Sequence, residues 1–282
     1  MSKIIKINKG LDINLLGKAD AKVTALPMAD SYAVSPLDFE GVVPKLLVKV
    51  GEQVKAGDAL FFSKNDPRVL FTSPVSGTVT AVNRGEKRKV LNVTVQPDAT
   101  QSFKEFNIPA IEKTSKEDAT KLLLEAGLWP LIIQRPYGII ANPDDQPKAI
   151  FVSGFDSAPL AADIDVVLAN DKANLQKGFD VLARLTAGKV HLSLNAKAEN
   201  KVFEGLKGVE IHEFAGPHPA GNVGVQIHHI DPINKGEVVW TLGAEEVIML
   251  GRLMKTGKVD LTRTIALAGS EVNAPKYYKV KV

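Results

Sequence analysis

No cysteine occurs in the 282 residues, which excludes disulfides, thiolate zinc sites, cysteine-held iron–sulfur clusters and a cysteine nucleophile. Net charge is also scarce. Lys plus Arg number 35 and Asp plus Glu 32, a formal balance of +3, too small for the basic field that nucleic-acid binding needs, so no DNA or RNA partner is expected. No apolar run approaches the roughly 20 residues of a membrane-spanning helix, and the charged, alternating N-terminus lacks the apolar stretch of a signal peptide. A cytoplasmic address fits, and any membrane link is expected to come through partner proteins.

What is present reads as an ordinary globular chain, 45% apolar and 24% charged, with length for two domains that each bury a core. Residues 41–95 read as short strands between turn residues, with Val50-Gly51-Glu52 and Ala56-Gly57-Asp58 marking turns. Within them stands Val-x-Val-Gly-Glu-x-Val-x-x-Gly-Asp-x-Leu, followed by Ser73-Pro74-Val75-Ser76-Gly77-Thr78-Val79. This layout resembles the biotinyl/lipoyl domain family, which implies a barrel-sandwich hybrid β-domain over residues 41–102. Swinging-arm members carry a modified lysine at a tight hairpin tip. The corresponding stretch here is Ser63-Lys64-Asn65-Asp66-Pro67-Arg68, in which Pro67 and the charges suggest a longer loop and Lys64 reads as a solvated loop lysine.

Residues 103–113 read as an extended linker. A capping-box pattern starts a helix at Thr114 or Ser115, and Gly127 closes it. Strands are expected over residues 149–153, 190–194 and 209–214, alternating with helices over residues 174–186 and 198–206. That β-α-β-α-β order predicts a Rossmann-like parallel sheet with right-handed crossovers. A further helix over 244–255, bounded by Gly243 and Gly257, and a buried strand over 264–268 complete an α/β domain assigned to residues 103–270. Residues 1–40 read as an N-terminal strand and connector, and the alternation Tyr277-Tyr278-Lys279-Val280-Lys281-Val282 makes 271–282 the expected start of a further, truncated domain.

Self-contained chemistry is hard to find. No G-x-G-x-x-G follows a predicted strand, and Ser153 lacks a nucleophile elbow. The neighbouring carboxylates Asp144-Asp145 and Glu245-Glu246 read as solvated or capping. Four of the five histidines, His212, His218, His228 and His229, fall within eighteen residues, yet they lack zinc-motif spacing, and in an extended chain His228 and His229 face opposite ways; no metal site is expected. The run Gly216-Pro217-His218-Pro219-Ala220-Gly221 reads as a rigid loop leading into Val225-Gln226-Ile227, because its prolines remove the N–H donors of a phosphate cradle. His218 is its one polar contact for a ligand.

The segment L-L-L-E-A-G-L-W-P-L-I-I-Q-R-P-Y-G from Leu122 to Gly138 is similar to the A-subunit family of bacterial Na+-translocating NADH:quinone oxidoreductases. So are Ser157-Ala158-Pro159-Leu160-Ala161-Ala162-Asp163, Gly216 to Gly221, Leu267-Ala268-Gly269, Asn8-Lys9-Gly10-Leu11-Asp12 and Asn83-Arg84-Gly85-Glu86-Lys87-Arg88. The family is related to the flavin subunit of respiratory complex I and to the Rnf C subunit, which hold FMN in a glycine-rich loop after the helix matching residues 121–126. Here that loop is replaced by Trp129-Pro130-Leu131-Ile132-Ile133-Gln134-Arg135-Pro136, so no FMN and no covalently or tightly bound cofactor is expected. The resemblance implies a peripheral subunit on the cytoplasmic side of the inner membrane. Its partners would be the other members of a six-subunit complex that oxidises NADH, reduces quinone and exports Na+. Contact with ubiquinone or menaquinone would fall to Trp129, Arg135, Tyr137 and His218. The competing readings are a stand-alone NADH/flavin oxidoreductase module and a carrier domain modified at Lys64.

Overall fold

The computed structural model describes residues 4–282; the first three residues of the expected N-terminal segment lie outside that range. Turn-rich sequence gives short strands along the first third of the chain. They are β1 (Ile5–Lys6), β2 (Asp20–Ala25), β3 (Tyr32–Val34), β4 (Pro44–Leu46), β5 (Gln53–Val54), β6 (Ala59–Ser63), β7 (Asp66–Thr72), β8 (Gly77–Arg84) and β9 (Val90–Pro97). Two antiparallel sheets of order β3-β9-β8-β5 and β4-β6-β7 share one core. Their alternating Val, Leu and Phe side chains point inward, as period-two strands require, and Phe61 stacks on Phe71 at 4.7 Å between centroids.

The rest of the chain alternates helices and strands: α1 (Lys116–Glu125), β10 (Ile133–Arg135), β11 (Ile139–Ile140), β12 (Ala149–Ser153), α2 (Ile164–Val167), α3 (Lys172–Leu185), β13 (Lys189–Asn195), β14 (Glu210–Ala215), α4 (Val223–Ile230), β15 (Val239–Gly243), α5 (Ala244–Thr256), β16 (Thr262–Leu267) and β17 (Lys276–Lys281). Ser115 caps α1 by accepting from the Asp118 N–H at 3.0 Å, and Gly127 closes it in the left-handed region at φ +67°, as the sequence predicts. The main sheet has the order β1-β14-β13-β12-β15-β10-β11. Strands β1, β14, β13, β12 and β15 run parallel, whereas β10 and β11 add an antiparallel edge. Helices α1, α3 and α5 cover one face and α4 the other, which makes three layers.

Four expectations change. The stretch 198–206 forms only a 3-10 turn, Lys201–Phe203, because Asn200 takes the left-handed conformation and Gly205 follows with φ +74°. The stretch through His228 and His229, weighed above as an extended chain, is helix α4. β16 is not a buried strand of the parallel sheet: it is half exposed and pairs antiparallel with β17, which pairs parallel with β2 in a separate sheet. Finally, β1 stands at the edge of the main sheet although it precedes the β-domain in sequence, with Ile5 opposite Phe214.

Candidate functional site

The connections of the main sheet create one special position. From β12 the chain moves through β13 to β14 on one side, then returns to β15 on the other, so the carboxyl ends of β12 and β15 flank a topological switch point. Open α/β sheets bind their ligands in the crevice outside such a point. Ser153 and Gly243, the last residues of these strands, are register partners. A cleft of about 970 Å³ opens there and runs along the α4 face of the sheet.

Strand register decides which side chains reach it. Ile133 pairs with Thr241 and Arg135 with Val239, so Ile133, Arg135 and Thr241 share one face and line the cleft. Pro130, Leu131 and Phe155 add apolar wall. The Arg135 Nε is buried and has no hydrogen-bond partner among the described residues. Across the cleft, Arg263 is satisfied: its guanidinium donates to Glu246 at 2.6 Å and to Glu245 at 3.4 Å. Burial pushes the Glu245 carboxyl up from the usual carboxylate range, against the pull of Arg263. Gln226 of α4 is fully buried behind the cleft and donates to the Ser153 hydroxyl at 3.1 Å.

Of the four residues singled out from sequence, only Arg135 faces this cleft. Trp129 is fully buried on the opposite face, where its Nε1 donates to the Ala141 carbonyl at 2.7 Å and its ring meets Trp240 edge-on at 5.4 Å. Tyr137 sits in the β10–β11 connection, 73% exposed, so no aromatic pair brackets Arg135. His218 lies outside the cleft, with Nδ1 3.0 Å from the Ser157 hydroxyl and its backbone N–H donating to Asp12 at 2.9 Å. Ser153, Thr241, Glu245 and Arg263 were missed as a group, because only strand pairing brings them together.

After α1 four of the backbone donors are already spent. The N–H groups of Gly127, Leu128, Leu131 and Ile132 donate to Leu124, Leu123, Leu128 and Trp129 carbonyls, and Pro130 has none. A phosphate cradle needs several free, converging N–H groups, and this segment does not fit one. Lys64 stands elsewhere than expected: β6 and β7 are joined by the two-residue turn Lys64–Asn65, with Ser63 opposite Asp66, so the lysine is exposed at a tight hairpin tip. The tip is tied down, since the Lys64 N–H donates to Val43 and the Asn65 side chain to Gly41. The histidine cluster read from sequence also separates. His228 and His229 are exposed on α4, and His212 meets instead the buried His191 of β13, with Nδ1 of His191 3.0 Å from Nε2 of His212.

A barrel-sandwich hybrid docked on a three-layer α/β domain, with a cleft at the sheet's switch point, defines a two-domain α/β class of protein. Two family descriptions match the same two parts: an NqrA N-terminal barrel-sandwich hybrid domain over residues 5–98 and an NqrA second alpha/beta domain over residues 114–259. The chain belongs to the NqrA family. It is 38% identical over 275 residues to the A subunit of the Na(+)-translocating NADH-quinone reductase of Neisseria meningitidis serogroup A, covering 97% of this chain and 61% of that protein. The corresponding protein of Photorhabdus laumondii matches to the same extent, and that of Serratia proteamaculans is 38% identical over 283 residues, covering 99% of this chain and 63% of its own. The chain thus spans a little over three fifths of the length of these relatives.

Proposed function

We propose that this chain acts as a flavin-free, quinone-contacting part of the A subunit in a Na+-translocating NADH:quinone reductase, and that quinone meets it in the cleft beside Arg135. The buried, unpartnered Nε of Arg135, beside the apolar stretch of the cleft formed by Pro130, Leu131, Ile133 and Phe155, carries this reading. The quinone ring would lie against Pro130, Leu131 and Ile133, with Arg135 donating to a carbonyl oxygen and stabilising the negative charge that develops there on reduction. The cleft is at the upper end of the size range of small-molecule sites. The spent N–H groups after α1 support the flavin-free reading. Electrons would then arrive from other members of the complex. Among the described residues no helix is long and apolar enough to cross a membrane; in this reading the chain sits peripherally, on the cytoplasmic side, held by the membrane-embedded partners.

Titration of the purified chain with short-chain ubiquinone and menaquinone analogues tests the site, followed by tryptophan fluorescence, because Trp240 directly precedes the cleft residue Thr241 in β15. Saturable quenching is expected, weakened about tenfold or more by Arg135→Ala, the size expected when a hydrogen bond from a charged group is lost. His218→Ala, outside the cleft, should leave the affinity unchanged. Equal affinity in wild type and Arg135→Ala would remove the cleft from consideration.

A further inference from the structure

On β13 and β14, the strands next beyond β12, and on the same face of the sheet, three side chains converge that the quinone reading does not use. Glu210 and His212 are two residues apart on β14, so both project to one face. His191 on β13 is the register partner of Glu210. The His191 Nδ1 lies 3.0 Å from the His212 Nε2 and 3.6 Å from a Glu210 carboxylate oxygen. One ligand atom from each of the three falls within 4.8 Å of the others.

We propose that His191, Glu210 and His212 form a binding site for a divalent transition-metal ion of the Zn2+ type, with a fourth position open to water. A tetrahedral ion with bonds of about 2.0–2.2 Å sets its ligand atoms about 3.3–3.5 Å apart. The imidazole pair is close to that spacing already, and the Glu210 carboxylate needs a shift of about 1 Å, which a side chain 44% exposed can make. His191 is the fixed member: it is 4% exposed and its ring stacks on Phe151 at 4.7 Å. Lys189 holds the other oxygen of Glu210 at 2.6 Å, an outer contact of the kind that orients a ligating carboxylate. The proton shared between the facing His191 Nδ1 and His212 Nε2 must shift to a far ring nitrogen before both atoms can ligate an ion.

Donor chemistry narrows the ion. Two imidazole nitrogens and one carboxylate, without any thiolate, suit Zn2+, Co2+ or Ni2+ and select against Mg2+ and Ca2+, which demand more oxygen ligands. Because the ligands sit on neighbouring strands, the ion would cross-link β13 to β14, and folded protein alone would present the assembled site. Binding should therefore raise the melting temperature in proportion to the logarithm of metal concentration above Kd.

Untagged protein, stripped with chelator, is titrated with Co2+ as a spectroscopic probe and Zn2+ as competitor. One equivalent of Co2+ is expected to give the intense visible band of a low-coordinate site, bleached by Zn2+ and untouched by excess Mg2+. His212→Gln should abolish the band, and Glu210→Gln should weaken binding at least tenfold. His228→Gln with His229→Gln, on the exposed face of α4, should leave it intact. Metal-free melting curves of the variants separate loss of ligand from loss of fold. Absence of a saturable band with millimolar Co2+, or a band that survives His212→Gln, or one lost in the α4 double variant, overturns the site.

Discussion

Gly251→Val is expected to destabilise the chain by about 3 kcal/mol or more. Helices α3 and α5 approach through two glycines placed reciprocally. A methyl group on Gly251 would overlap the Asn174 carbonyl of α3, and one on Gly178 would overlap the Val247 carbonyl of α5. Both obstacles are backbone, so no rotamer change relieves them. The helices must separate, and Leu175, Leu182, Leu250 and Leu253, all fully buried around this crossing, lose contacts with them. Helix propensity works the other way, since replacing an interior glycine gains up to about 1 kcal/mol, but the overlap outweighs it. Gly224→Ala on α4, where a Cβ meets nothing within 4 Å, isolates the propensity term and should be neutral or slightly stabilising. In a domain of this size 3 kcal/mol corresponds to a melting point roughly 6–12 °C lower. A Gly251→Val protein melting within about 2 °C of wild type would show that the helix pair is not close-packed here.

That glycine pair shows what a sequence hides. The helices themselves were legible: Ser115 caps α1, Gly243 and Gly257 bracket α5, and the apolar run of residues 149–153 is strand β12. Local signals set those elements, and tertiary contacts do not override them. Two local readings failed for identifiable reasons. The extended form weighed for the stretch through His228 and His229 does not occur: α4 forms there, since a helix turns Ile227 onto Phe151 and Val239 in the second core. Tertiary packing outweighs a weak β preference over so short a window. Pro67 suggested a long loop after Lys64. In fact the β6–β7 pairing shifts register between Ser63–Asp66 and Phe62–Leu70, so the proline falls in a bulge where its missing N–H costs no ladder bond.

The site was legible only in part, and the pleat explains which part. Gln134 and Arg135 are adjacent on β10 and face opposite layers: Gln134 accepts from the Trp240 Nε1 at 3.2 Å in the core shared with Trp129, while Arg135 turns to the cleft. The family resemblance placed Arg135 near a site without saying which face of the strand carried it. His191 and His212 lie 21 residues apart, and only the β13–β14 register joins them. Cross-strand neighbours of this kind cannot be read from a single chain until the strand order is known.

Arg252→Met should cost about 3 kcal/mol at neutral pH, with a pH dependence that identifies the cause. Arg252 reaches from α5 to Asp171 at the start of α3, with contacts of 2.7 and 3.3 Å, and donates to the Thr262 carbonyl of β16 at 2.6 Å. The two side chains are only 14% and 17% exposed. Burial by itself would raise the Asp171 pKa; the hydrogen bonds from Arg252 and Asn174 reverse that and hold the carboxyl below its ordinary 3.8. A depressed carboxylate contributes stability above its unfolded pKa and loses it as pH falls through the folded value. Without Arg252 the sign inverts: burial dominates, the folded pKa rises above the unfolded one, and the ionised carboxylate becomes a burden as pH increases. The stability difference between wild type and Arg252→Met should therefore be greatest near pH 7 and shrink as the pH drops below about 4. Urea unfolding at both pH values measures it. Asp171→Asn in the Arg252→Met background should recover part of the loss at pH 7, since the amide leaves no buried charge. A difference that is the same at both pH values, or no recovery with Asp171→Asn, would assign the loss to the Thr262 contact and the packing of the arginine stem rather than to the ion pair.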